Sequence, residues 1–229
     1  MEYKTIIKTI IKTVVFALFL LLASCKPDSL DLEIYASDIQ GVSVRGVVDV
    51  PLTATYSLMG EDEEGYIAKV SRIAQKYLGE DAEFKSSPGM FGEVLVVKCT
   101  IPMGTKESLA LYQQASRRPF SLTVDGTKVS LGKTKHFDAL NKEISDVNMM
   151  LGLDLNAVST KIRLVGDMKD SSKVTAIAVF VDNKAELEFQ KQLERRMSLV
   201  LEFKGGDESV YSQIAPQFNI IFKAPRITD

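Results

Sequence analysis

Cysteine and histidine, two residue types that often carry nucleophilic or acid–base chemistry, are rare in this 229-residue sequence, which has two cysteines, Cys25 and Cys99, and a single histidine, His136. Cys99 lies in a run where every second residue is apolar, so we predict that its side chain faces the core of a β-sheet. A reactive thiol needs a lowered pKa, which requires cationic neighbours or a helix N-terminus. The local pattern offers neither, so Cys99 is predicted to be buried and inert.

His136 stands at the start of a predicted helix. No Gly-x-Ser-x-Gly elbow accompanies it to supply a nucleophile, and one histidine does not complete the usual ligand sets of zinc. We therefore predict a surface or helix-capping histidine, no metal ion and no cofactor.

Two further stretches resemble ligand-binding motifs. Gly132-Lys133-Thr134 resembles the end of a phosphate-binding loop, but the earlier glycine is at Gly126, one residue out of place. The acidic run at positions 61–64 lacks the spaced ligands of a calcium loop. Its charges instead favour the positive end of a helix dipole.

The first 25 residues have a pattern of their own. Lys4, Lys8 and Lys12 precede an apolar run over Val14–Ala23, which is typical of an exported protein's signal peptide. Ten apolar residues are too few for a spanning helix, which needs about 20. A cleaved signal over residues 1–24 is therefore predicted.

The end of that run, Leu22-Ala23-Ser24-Cys25, resembles the lipobox of bacterial lipoprotein precursors. The resemblance implies that the Cys25 thiol takes a diacylglyceryl group, that the bond between Ser24 and Cys25 is cut, and that the new amino group is acylated, typically with palmitate. Lys26 is not the aspartate that retains such proteins in the inner membrane. The implied destination is the outer membrane of a cell envelope with two membranes.

The apolar alternation predicts a strand that begins at Leu30, which leaves residues 25–29 as the expected lipidated tether. Four or five residues span at most about 18 Å, so the domain at 30–229 is expected to sit close to the bilayer.

Composition limits the function classes. Removal of residues 1–24 leaves 229 − 24 = 205 residues, with 25 Lys+Arg against 29 Asp+Glu, a balance of −4. This charge argues against nucleic acid as a partner. With Cys25 committed to lipid, Cys99 has no disulfide partner, so the fold must rest on its core, which the 45% apolar content can supply.

Alternating apolar residues predict strands at Val48–Leu58, Phe91–Met103, Met197–Phe203 and Phe218–Ala224, and a hairpin turning at Asp125-Gly126. The segment Val174–Val181 is apolar on both faces, which predicts a central strand covered on both sides. Apolar stripes predict amphipathic helices at 62–78, 136–151 and 183–196, and a short helix is indicated at Thr105–Ala115. The predicted class is α+β with mainly antiparallel sheet. A duplicated β-α-β-β unit, with halves 30–104 and 156–229 and residues 105–155 inserted, is one interpretation.

Three functions stay open from the sequence. The first is a non-enzymatic envelope lipoprotein that binds a protein or envelope component near the membrane. The second is a carrier of lipid or another apolar ligand, and Met149, Met150, Met168 and Met197 are candidates to line its hollow. The third is a carboxylate-based hydrolase, which no residue spacing supports.

Overall fold

The computed structural model describes residues 27–59, 65–89, 92–147, 149, 152, 158–204 and 216–222. Within them the α+β class is confirmed, with eleven strands and four α-helices. The strands are β1 (Pro27–Tyr35), β2 (Val47–Met59), β3 (Glu83–Pro88), β4 (Gly92–Gly104), β5 (Phe120–Asp125), β6 (Lys128–Lys133), β7 (Ser159–Val165), β8 (Ser172–Val181), β9 (Lys184–Leu193), β10 (Ser198–Phe203) and β11 (Gln217–Phe222). The helices are α1 (Ala36–Arg45), α2 (Tyr66–Leu78), α3 (Lys106–Ala115) and α4 (Phe137–Val147).

Nine of the strands close into a barrel. The order is β10-β7-β1-β2-β4-β5-β6-β11-β8, and β8 returns to β10 through the pair Glu202 and Phe180. The pairs β1–β7 and β4–β5 are parallel, and the other pairings of the described strands are antiparallel. Strands β3 and β9 lie outside the ring, on β4 and β8.

Strand β8 closes the barrel because it bends and pairs with two different strands, β11 and β10. Ala176 and Phe180 both pair with β9 on one edge of β8. Since a strand has two edges, β11 at Ala176 and β10 at Phe180 must share the other edge. Ala178 lies between them with φ 53°, outside the β8–β9 register. This bulge bends the strand from one neighbour to the next.

The inward faces of the strands form the core. Paired positions such as Leu32 with Leu52 and with Ile162 are almost fully buried, because one face of each strand is apolar. The alternation that predicted these strands is therefore the alternation between barrel interior and exterior.

The helices occupy two places. Helices α1 and α3 lie at the barrel end where β1 and β4 finish, and the Ser108 hydroxyl donates to the Gly46 carbonyl at 2.7 Å to join them. Helices α2 and α4 pack on each other and on the inward face of β2 and β4. They fit there because β4 meets β5 only at Met103 and Gly104, so the two strands diverge elsewhere.

Two of the three main predicted helices are confirmed with shorter bounds. The first begins at Tyr66, and residues 62–64 of the prediction lie outside the described part. The second runs over Phe137–Val147, and residues 148, 150 and 151 of its predicted end also lie outside. The short helix at Thr105–Ala115 is confirmed, with the Thr105 hydroxyl accepting a cap hydrogen bond from the Ser108 amide.

The helix predicted at 183–196 is wrong, because that segment is strand β9 and the turn after it. The apolar spacing of four at Ala185, Phe189 and Leu193 fits one face of a strand as well as a helix. The second half of the chain therefore has no β-α-β-β order among its described elements, and the duplication is not supported.

Candidate functional site

The predicted lipidation residue Cys25, the cleavage residue Ser24 and the sorting residue Lys26 all lie outside the described residues. What the structure does place is the residue that follows them. Strand β1 begins at Pro27 rather than Leu30, and Pro27 pairs with Tyr56. Only Lys26 stands between Cys25 and the first strand in the sequence, so the tether predicted at residues 25–29 would be shorter than that prediction.

A group of polar side chains surrounds Arg118. Along one edge of β4, strand β3 pairs with residues up to Lys98, and β5 pairs from Met103 onwards. No strand is described on that edge between the two. Arg118 lies at the stretch between, where its Nη2 is 2.6 Å from Asp81 Oδ1. The Thr100 hydroxyl donates to the other Asp81 oxygen at 3.2 Å. A side chain thus links segments where no strand pairing is described.

Hydrogen bonds from Thr134 also fix the backbone near Arg118. The Thr134 hydroxyl donates to the Arg118 carbonyl at 2.7 Å, and the Thr134 amide donates to the Pro119 carbonyl at 2.9 Å. Gly79 lies so close that a Cβ there would be 2.9 Å from Asp81 Oδ1 and 3.1 Å from Arg118 Nη2, and its φ is 83°. Only glycine suits that position without displacement.

The electrostatics of this group favour an ion pair over a reactive thiol. Burial alone would raise the pKa of Asp81, but the hydrogen bond and charge of Arg118 outweigh it, and the pKa of that carboxyl is lowered. Burial raises the pKa of the Cys99 thiol to about 11, although the Arg118 charge acts against the rise. Cys99 is therefore a buried neutral thiol, as predicted from the sequence.

One arm of the guanidinium has no oxygen or nitrogen partner. Arg118 Nη1 is buried and has no oxygen or nitrogen partner within the described part of the chain. The Arg118 side chain also lies near the Cys99 thiol, because both its charge and a hydrogen bond act to lower the pKa of that thiol. Arg118, Asp81 and Thr100 thus form a polar cluster next to an apolar cavity.

That apolar space is a narrow cavity between α2, α4 and the barrel. It measures about 30 Å³, and its walls include Leu52 and Cys99 from the strands, Ala74 from α2, and Leu140 and Ile144 from α4. A volume of about 30 Å³ is the share of one water molecule in the liquid. An acyl chain does not fit unless α2 and α4 move apart.

A second, open groove of about 600 Å³ lies on the outer face of β10, β7, β1 and β2. Asp31 stands in register with Lys161, and Glu33 with Arg163, whose Nε is 3.8 Å from the Glu33 carboxylate. The groove is thus a mixed-charge surface.

His136 is half-buried immediately before α4, and its carbonyl accepts a hydrogen bond from the Leu140 amide at 3.1 Å, so it occupies the capping position at the start of that helix. Its amide donates to the Thr134 hydroxyl at 3.1 Å, and its Nε2 is buried without a partner among the described residues.

No group of three or more His, Cys, Asp or Glu side chains able to hold a metal ion occurs in the ranges the structure describes. Of the four predicted hollow-lining methionines, Met168 and Met197 pack partly buried against the core, Met149 is exposed, and Met150 lies outside the description.

Sequence reasoning missed Arg118 and Asp81 altogether. The two are 37 residues apart, and neither stands in a motif. The pairing exists only because α2 ends, and β5 begins, at the same stretch of β4. No local signal could have found it.

The chain matches no protein family, no curated protein and no solved structure. Among the described helices, none is long and apolar enough to cross a membrane.

Proposed function

We propose that this protein is a non-enzymatic lipoprotein of the cell envelope, anchored by acyl chains on Cys25, whose barrel binds a protein or another envelope component close to the bilayer. The outer membrane is the proposed destination, since Lys26 follows the cysteine. The observation that supports the proposal best is the start of β1 at Pro27, two residues after Cys25. A domain that begins so close to its anchor has almost no reach of its own.

The energetics of the anchor agree with this role. Each buried methylene of an acyl chain contributes about 0.8 kcal/mol, and one chain alone binds a membrane only marginally. Two or three chains on Cys25 hold the protein firmly, so the barrel does not need a membrane-spanning segment to remain at the surface.

Metabolic labelling with a clickable fatty acid tests the anchor. The wild-type protein should be labelled and found with membranes, and Cys25→Ser should lose both properties. Cys99→Ser is the matched control, because it removes the only other thiol and should label like the wild type. Equal labelling of wild type and Cys25→Ser would contradict the proposal.

A pull-down of the acylated protein from envelope membranes, with mass spectrometry of proteins and lipids, tests the binding role. A reproducible protein or envelope component captured by the wild type supports it.

A carrier of lipid or another apolar ligand is the second candidate, favoured by the apolar cavity under α2 and α4. In that role the two helices would separate to admit the ligand. Native mass spectrometry distinguishes the candidates, because a carrier should show a bound apolar molecule in addition to the acyl groups of Cys25.

A further inference from the structure

The two barrel ends lie at very different distances from the anchor. Strand β1 begins at Pro27 and ends at Tyr35, where α1 follows directly. Eight strand steps of about 3.3 Å place the α1 end about 26 Å farther from Cys25 than the Pro27 end. If Cys25 is acylated, as the proposed function holds, the Pro27 end is the one nearest the bilayer.

Strands β2 and β4 extend past that end. Tyr56 is the residue of β2 opposite Pro27, and β2 continues to Met59, which pairs with Gly92 of β4. Strand β3 flanks this extension and reaches Pro88 opposite Glu93. We call the part of β2, β3 and β4 beyond Tyr56 the arm.

The arm extends towards the anchor. Because β1 and β2 are antiparallel, β2 continues past Pro27 in the direction from which the chain of Cys25 arrives. Three residues of strand add about 10 Å. The two Cα steps from Cys25 to Pro27 span at most about 7 Å. The tip of the arm therefore reaches at least as far as the acylated residue itself.

We propose that the tip of the arm is a membrane-contact surface that lies in the headgroup layer of the bilayer holding the acyl chains. The inference rests on acylation of Cys25 and on the length of chain between Cys25 and β1. The exposed residues of β3 within the arm, Ser87 and Pro88, are uncharged, so they can enter a polar headgroup layer without desolvating a charge. Glu93 of β4 pairs with Pro88 and is part-buried, so the arm also carries one charge beside them.

Attraction to anionic lipid is not the basis of this contact. The sequence that follows Met59 carries four acids at positions 61–64. Acids near a membrane surface oppose binding to negatively charged lipids. Neutral phosphatidylcholine vesicles are therefore the appropriate probe.

Two exposed serines on opposite ends of the barrel allow a matched test. Ser87 lies in the arm, and Ser43 lies in α1. Each is changed singly to cysteine in the full chain, purified with its acyl groups, labelled with a polarity-sensitive fluorophore and reconstituted in phosphatidylcholine vesicles containing lipid with a spin-labelled headgroup. Buried Cys99 should contribute little label, and the wild-type protein measures that background.

The label at Ser87→Cys should shift to a less polar emission and be quenched several-fold more than the label at Ser43→Cys. Equal quenching, or stronger quenching at Ser43→Cys, would overturn the proposal. Ser86→Cys, level with Tyr56 at the base of the arm, provides a second position on the same strand if Ser87→Cys does not fold. The mass of the purified protein shows which proposal has failed. An unmodified Cys25 contradicts the proposed lipid anchor, whereas acylated protein with equal quenching at the two positions contradicts only the membrane contact of the arm.

Discussion

Arg118 and Asp81, 37 residues apart in the chain, form an ion pair of 2.6 Å that joins the end of α2 to the start of β5. The guanidinium side chain is 12% exposed and the carboxylate side chain 49% exposed. The two partners are therefore unequal, because loss of the carboxylate leaves a largely buried charge whereas loss of the guanidinium leaves a solvated one.

Asp81→Asn should destabilise the protein. Breaking a fully buried pair costs about 3–5 kcal/mol, but water already screens the half-exposed Asp81, so we expect about 1–2 kcal/mol. Chemical denaturation followed by circular dichroism measures the change. Glu80→Gln, an exposed acid one residue earlier, is the control and should change stability by less than about 0.5 kcal/mol. Equal effects of the two substitutions would show that the ion pair is incidental.

The contribution of Asp81 should depend on pH with a definite sign. Its pKa in the folded state is lowered from the ordinary value of 3.8, so the folded state favours the charged form. The resulting stability is present above pH 3.8 and is lost as the pH falls through the lowered pKa. The stability gap between wild type and Asp81→Asn should therefore be full at about pH 7 and narrow below about pH 4. A gap that widens in acid would contradict the assignment.

Cys99 should react slowly with thiol reagents in the folded protein and rapidly in denaturant. Its side chain is buried, and its pKa of about 11 leaves almost no thiolate near neutral pH. Cys99→Ala should cost about 1–2 kcal/mol, as expected for the loss of a small buried side chain. Labelling kinetics with and without denaturant measure the accessibility. Fast reaction of the native protein would show that the cavity beside Cys99 opens readily.

Strands with one buried face could be predicted from the sequence, and those without one could not. Val48–Leu58 and Phe91–Met103 alternate because one face lines the barrel, and both correspond to strands, β2 and β4. Strand β9 has nine of its ten side chains wholly or partly exposed, so its alternation carries little information. Helix α1 was missed because it is short and contains Gly41, a poor helix former.

The turn before β9 did carry a signal. Asp182 and Asn183 both have positive φ, 51° and 62°, between the paired residues Val181 and Lys184. This is the type I′ geometry that asparagine and glycine favour in two-residue hairpins. If Asp182 and Asn183 are interpreted as a hairpin turn, the sequence predicts two strands on either side of them instead of a helix beginning at 183.

Substitutions at Asn183 should follow that turn geometry. Asn183→Gly should stabilise the protein by about 0.5–1 kcal/mol, because glycine adopts positive φ without strain. Asn183→Val should destabilise it by about 1–2 kcal/mol, because a β-branched residue is strained in the left-handed region. Thermal unfolding measures both. Lys184→Val, one residue later in the strand, is the control and should be close to neutral. Similar losses for Asn183→Val and Lys184→Val would contradict the turn assignment.

A longer tether should weaken any activity that depends on closeness to the bilayer. An insertion must follow Lys26, because Ser29 is already inside β1 and pairs with Thr55. A flexible Gly/Ser segment of about 20 residues adds an end-to-end distance of roughly 25 Å, which frees the arm from the headgroup layer and lets the barrel turn. The phenotype of gene deletion should therefore reappear in part, while acylation and protein level stay normal. Insertion of the same segment after the final residue is the control and should leave activity unchanged. Full activity with the long tether would show that the close attachment of the barrel is not needed for function.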